Sequence, residues 1–164
     1  MEETRRGTGL IKPAIVAVLI CEGAGLIGSF FTRAGLNGWF QTLNKPSFNP
    51  PGWVFGPVWT VLYALMGIAA AMIWQHRDTD PEARPALRLF GVQLGLNVLW
   101  SAAFFGARSP FAALINIVAL WIAVVATTLR FSRISGRAAG LMLPYLAWTT
   151  FATVLNAAIW RLNR

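Results

Sequence analysis

Five stretches of this chain run for about twenty residues, the length needed to cross a bilayer core, with a single charge among them. They are residues 13–31, which hold Glu22, and 54–75, 89–107, 109–129 and 138–160, which hold no charge at all. Charged residues are 12% of the chain, hydrophobic residues 56%, and the mean hydropathy is +0.56. A soluble domain carries about 25% charged residues, so this chain cannot coat a water-facing surface. Backbone groups in lipid must be satisfied internally, and no period-2 pattern suggests a barrel, so the five stretches are helices. The expectation is an all-α membrane protein, one domain over 1–164, built as a bundle of five transmembrane helices. Arg5, Arg6 and Lys12 resemble the start of a signal peptide. However, the apolar run is long for one and Glu22 is unusual inside it, so the first helix is retained.

The same counts exclude several functions. A net charge of +8 rests on 14 basic and 6 acidic residues, too few and too near apolar runs for a nucleic-acid face. One cysteine, Cys21, allows no internal disulfide, and one histidine, His76, allows no multi-histidine metal site.

Five crossings put the termini on opposite sides. The N-terminal side carries Arg5, Arg6, Lys12, Arg77, Arg84, Arg88, Arg130, Arg133 and Arg137, against Arg33, Lys45, Arg108, Arg161 and Arg164 on the other. This bias makes the N-terminus cytoplasmic.

Three connections are short, but residues 32–53 are not. They read TRAGLNGWFQTLNKPSFNPPGW. Three prolines prevent a long helix there. The tryptophans and phenylalanines make the segment too apolar for a solvated linker, and loops of this length are usually functional or disordered. Its aromatics argue for a folded cap on the helix ends. The alternative is an interfacial belt, with Trp39 and Trp53 at headgroup level.

Interior polar and aromatic groups gather beneath that loop. Phe55, Trp59, Tyr63 and Met66 are spaced 4, 4, 3 on the second helix. Gln93, Asn97, Trp100 and Phe104 share a face of the third, and Tyr145, Trp148, Ala152 and Asn156 share one of the fifth. A rise of about 1.5 Å per residue places nearly all of them, with Asn116, in the half of the membrane nearest the loop. Trp100, Trp121 and Trp148 lie well inside, where lipid cannot satisfy an indole N–H. Such stripes face a cavity or another helix. A ligand pocket is one reading, mostly apolar with a few amides and indoles to orient a flat guest. Helix-to-helix hydrogen bonding without a ligand is the other.

Opposite Gln93 and Asn97 lie Gly91, Gly95, Val98 and Ala102, a small-residue face with a GxxxG step. It packs within the monomer or forms a homodimer, and the dimer is expected. Glu22 is the only acid inside the membrane and a functional candidate on that ground. It is neutral, capped by a carbonyl, or at a cavity edge. Cys21 beside it belongs to the core.

Particular runs are more specific. Trp39-Phe40, the stretch Leu43-Asn44-Lys45-Pro46-Ser47-Phe48-Asn49-Pro50-Pro51-Gly52-Trp53-Val54-Phe55, and then Trp59, Leu62 and Tyr63 resemble the TspO/translocator protein family. Gln93-Leu94, Asn97, Trp100 and Phe104 to Arg108 resemble it too. So does Pro144-Tyr145-Leu146-Ala147-Trp148, followed by Phe151-Ala152-Thr153 and Leu155-Asn156. This family of tryptophan-rich sensory proteins and peripheral-type benzodiazepine receptors matches from the first helix to Arg161.

The resemblance implies five helices, a homodimer, and a pocket capped by the first loop. It implies protoporphyrin IX or a related tetrapyrrole as ligand, with no obligatory cofactor. Isoquinoline-carboxamide and benzodiazepine-type drugs would bind too. Trp59 and Trp148 match tryptophans tied to porphyrin binding and its light-dependent breakdown, and so are the candidate catalytic pair. Ala152 matches a small residue lining the drug site, and Trp39, Trp53 and Asn97 match positions around the pocket or its lid. With the stripes, the ligand-binding set is Trp39, Trp53, Phe55, Trp59, Tyr63, Asn97, Trp100, Phe104, Tyr145, Trp148 and Ala152.

Two departures matter. The vertebrate sterol motif needs a tyrosine where this chain has Ala157, so a sterol ligand is doubtful. Phe40 replaces the tyrosine usual after the loop tryptophan, which removes a hydroxyl from the pocket rim. The preference for arginine, with only Lys12 and Lys45 as lysines, suggests a bacterial membrane. Three functions compete: a tetrapyrrole sensor, a porphyrin-degrading enzyme that depends on light and oxygen, and a transporter. No inverted repeat or broken helix pair supports the last.

Overall fold

The computed structural model describes residues 2–36 and 38–164, with side chains described from Gly9 onward. Asn37 and the side chains of Arg5 and Arg6 therefore lie outside the described residues. Helix α1 runs Glu2–Leu36, the short α2 Trp39–Thr42, and α3 Gly52–Trp74. Helix α4 runs Ala83–Ser101 and continues as a π-helical turn over Ala102–Gly106. Helices α5 and α6 run Pro110–Ile134 and Gly136–Leu162. All but α2 are long and apolar enough to cross a membrane. The protein is an all-α, multi-pass membrane bundle.

Every spanning helix differs from its apolar stretch at both ends. The α4 helix starts at Ala83 rather than 89, because Ala83 and Ala86 are fully buried and keep the first turns packed. Arg84 and Arg88 are tolerated there, since an arginine near a helix end reaches out to the interface. The α1 helix runs on to Leu36, because 32–36 contains no breaker, and Gly35 packs against the Phe105 side chain. Thus the loop 32–53 is shorter than expected. Its first five residues belong to α1 and its last two to α3. Ser109 and Ser135 set the starts of α5 and α6 by accepting from the N–H groups of Ala112 and Ala138.

The helices close a ring in the order α1, α3, α6, α5, α4, with α4 back against α1. The core between them is lined by Met66, Ile73, Ile117, Leu120, Val124, Phe131, Met142 and Tyr145. Helix α1 packs against α3 and α4 and leaves much of its surface uncovered. Ile15, Leu19, Ile20, Leu26, Ile27 and Phe30 stay exposed, as lipid-facing residues should. Its close approach comes from Gly67 on α3, where a Cβ would sit 2.5 Å from the Val18 Cα. The small-residue face of α4 does nothing comparable inside the chain. A Cβ at Gly91 or Gly95 would meet nothing within 4 Å.

On the N-terminal side, Asp78 pairs with Arg77 and Arg84, and Glu82 pairs with Arg130. These ties join the α3–α4 connection to itself and to α5. They are exposed and contribute about 0–1 kcal/mol each.

Candidate ligand cavity

A cavity of about 660 Å³ opens in the half of the bundle nearest the connection over residues 38–51. That is within the range of small-molecule sites, about 300–1,000 Å³. Its walls come from α1, α3, α4 with its π-turn, and α6, and its roof from the connection itself.

The aromatic wall is built on helical spacing. Phe55, Trp59 and Tyr63 descend one face of α3, and Trp148 and Phe151 answer from α6. Trp59 stacks on Tyr63 with ring centres 5.4 Å apart and 29° between planes. It meets Trp148 edge to face at 6.4 Å and 87°. Phe55 holds the other side of Trp148 at 5.9 Å. Trp100 stacks on Phe104 at 5.3 Å. Edge-to-face and offset pairs of this kind add about 0.5–1.5 kcal/mol each beyond burial.

The π-turn explains why Phe104 and Phe105 both line the cavity. Its wide loop, closed by Ala107 N–H donating to the Ala102 carbonyl at 2.8 Å, turns two adjacent rings inward. Arg108 follows in the left-handed region at φ 52°, which ends the helix and starts the reversal into α5. Wide turns of this type recur at functional sites.

Beneath the rings a polar network fixes the floor. Tyr63 donates to Asn97 Oδ1 at 2.6 Å, and Asn97 Nδ2 donates to the Tyr145 hydroxyl at 2.9 Å. One amide thereby holds α3, α4 and α6 in register. The Trp100 indole donates to Asn156 Oδ1, and Asn156 in turn donates to the Pro110 carbonyl. Gly25 on α1 leaves room for the Tyr63 ring, since a Cβ there would lie 2.5 Å from it. Trp121, at 36% exposure, satisfies its N–H on Thr150. By contrast, Trp59 and Trp148 make no indole hydrogen bond among the described residues.

The roof is a folded cap. Helix α2 sets Trp39 and Phe40 against Phe104, and Phe40 also against Phe105. Phe48 reaches Phe151 on α6. The chain then passes over the mouth through Asn49, Pro50 and Pro51. The Asn49 Oδ1 atom is buried without a partner.

Of the residues expected at the site, Phe55, Trp59, Tyr63, Asn97, Trp100, Phe104, Trp148 and Ala152 lie on the cavity wall. Three do not. Trp39 packs behind Phe104 as part of the cap. Trp53, first turn of α3, is 77% exposed and points away. Tyr145 is 0% exposed and acts one layer below, through Asn97. Sequence reasoning missed most of the α1 wall, which presents Gly25, Gly28, Ser29 and Arg33 beside Glu22. The readable signal was the glycine series Gly25, Gly28 and Gly35. Glu22 lies at the cavity edge, while its neighbour Cys21 is 1% exposed in the core.

Comparison with known proteins agrees with this architecture. The TspO/MBR family model matches residues 17–161. The tryptophan-rich protein TspO of Chlorobaculum tepidum is 46% identical over 88% of this chain and 91% of its own. The human translocator protein is 41% identical over 92% of this chain and 90% of its own. The tryptophan-rich sensory protein of Cereibacter sphaeroides is 41% identical over 76% and 77%. With five spanning helices, an aromatic cavity under a proline-rich cap and matches of this extent, the chain belongs to the TspO/MBR family.

Proposed function

We propose that this protein binds a flat tetrapyrrole, protoporphyrin IX or a relative, in the capped cavity and acts as a membrane sensor or regulator of it. The observation that carries the reading is the Trp59–Trp148 pair. Two perpendicular indoles on the cavity lining offer a stacking face, and neither N–H makes a hydrogen bond among the described residues. A flat conjugated ring matches both. Benzodiazepine-type and isoquinoline-carboxamide drugs, which are also flat and apolar, would occupy the same wall near Ala152.

The same pair favours a second reading, light-dependent loss of bound porphyrin, because oxidisable indoles would touch the excited ring. The protein functions as a homodimer through the open Gly91 and Gly95 face of α4, with the N-terminus cytoplasmic, in a bacterial membrane. The test is to purify the protein from its own membrane and identify what comes with it. A Soret-type absorbance and a matching tetrapyrrole mass support the reading. A stoichiometric ligand without a conjugated macrocycle overturns it.

A further inference from the structure

At the end of the bundle away from the cavity, the acids with described side chains match only some of the arginines. Asp78 pairs with Arg77 and Arg84, and Glu82 with Arg130. Asp80 is turned to its own loop, where it accepts from the Glu82 N–H at 2.9 Å. Arg88, Arg133 and Arg137 are exposed and take part in no ion pair among the described residues.

These unpaired cations form a band. Phe90 on α4 stacks on Phe131 on α5, with ring centres 6.0 Å apart. Arg88 comes two positions before Phe90 and Arg133 two positions after Phe131, on helices that run antiparallel, so both lie just beyond the stack at one level. Arg137 joins them in the first turn of α6, across a connection of the single residue Ser135. Helix α5 lies between α4 and α6 in the ring, so the band spans neighbouring helices. The faces beneath it are apolar. Val92, one turn deeper than Arg88, and Leu129, one turn deeper than Arg133, are each more than half exposed.

We infer that this band binds the phosphate of an anionic phospholipid, whose acyl chains lie along Val92 and Leu129. A cation one helical turn from a lipid-facing apolar side chain sits at headgroup depth. There a lipid phosphate is at hand, and an acidic protein would first have to displace lipid. All three cations are arginine, whose planar fork takes a phosphate through two parallel N–H donors. A zwitterionic headgroup brings its own cation and leaves the band's charge unmatched, whereas an anionic one matches it. Arg133 and Arg137 stand on helices other than α4, so the band does not depend on what covers Gly91 and Gly95.

The experiment purifies the full chain from micelles holding equal amounts of phosphatidylglycerol and phosphatidylcholine, and counts the retained lipids by native mass spectrometry. Wild type should retain phosphatidylglycerol with a preference of about tenfold or more. Arg88→Gln, Arg133→Gln and Arg137→Gln should each cut that preference by about threefold, and the triple variant should bring it within about twofold of even. A control triple, Arg77→Gln with Arg84→Gln and Arg130→Gln, removes the same charge from the paired set and should keep most of the preference. Melting of both triples shows that each is folded. No preference in wild type, or a preference that survives the first triple, overturns the inference. Equal loss in both triples also overturns it, because only the attraction of net charge is then left. Displacement of the retained lipid by excess inorganic phosphate would make this a site for a free anion. A wild type that ignores lipid charge yet binds a polyglutamate peptide in zwitterionic nanodiscs would make it a protein-docking surface. Either result overturns the assignment to lipid.

Discussion

Asn44 and Asn163, 119 positions apart, exchange two hydrogen bonds of 2.9 Å: the Asn44 N–H donates to Asn163 Oδ1, and Asn163 Nδ2 donates to the Asn44 carbonyl. The pair joins the middle of the cap to the end of α6. Asn163 also donates to the Ile159 carbonyl, so its amide is already oriented by the helix it terminates. The cap is therefore fastened at both ends, by the chain itself and by this latch. Asn163→Ala removes both bonds. They are exposed, so together they contribute about 1 kcal/mol to closure. The expected outcome is release of a bound porphyrin about fivefold faster, with faster proteolysis within 43–51 and an almost unchanged melting temperature. Stopped-flow displacement and limited digestion measure the two effects.

Gly67 governs how α1 joins the bundle. A side chain there meets the Val18 backbone, which cannot move aside as a flexible side chain would. Gly67→Val should destabilise the protein by about 1–3 kcal/mol through overpacking. It should also loosen α1 from the cavity wall. Thermal unfolding in detergent, followed by circular dichroism, reads the loss. A variant as stable as wild type would mean that α1 is held elsewhere.

Gly95 is the opposite case. With nothing within 4 Å of its Cβ position, Gly95→Leu should leave the melting temperature of the monomer unchanged. It should nevertheless reduce crosslinked dimer in liposomes, because leucine holds apart two backbones that glycine lets meet. An undiminished dimer band would assign the contact to another face.

The five helices were legible because lipid tolerates so little charge that the interruptions mark the connections. Their ends were not, because Arg84 and Arg88 sit inside α4 while their charges reach the interface, and charge alone cannot show that. The α3 and α6 walls were legible from spacing, since Trp59, Tyr63, Trp148 and Ala152 recur at helical intervals. Tyr145 follows the same spacing yet lies behind the wall. Periodicity gives a face, but not how far along it a neighbouring helix covers each residue. The α1 wall is made of glycine and serine, and small residues read equally well as packing. The close approach inside the bundle is made by Gly67, which no motif marks, while Gly91 and Gly95 meet nothing within the chain.

Binding and chemistry separate at the indoles. If Trp59 and Trp148 only stack on a guest, phenylalanine keeps a ring in place. Trp59→Phe and Trp148→Phe should therefore retain porphyrin affinity within about tenfold, or 1.4 kcal/mol. They should abolish any light-dependent loss of porphyrin absorbance. Dark titration paired with illuminated bleaching reads both. Loss of binding in step with bleaching would make the indoles positioning groups only. Unchanged bleaching would place the light chemistry in the free porphyrin.

The central claim is that a flat ring occupies the chamber between α1, α3, α4 and α6. Ala152 lies on its wall as the small member of the α6 stripe, so a larger side chain there fills the space without touching the Tyr63–Asn97–Tyr145 floor. The direct measurement is tryptophan quenching by protoporphyrin IX in wild type and in Ala152→Phe, with melting of both to show that each is folded. The account predicts saturable quenching at one ligand per chain in wild type, and an affinity at least tenfold weaker in the filled variant. Quenching that never saturates, or that is equally tight with the chamber filled, would contradict it.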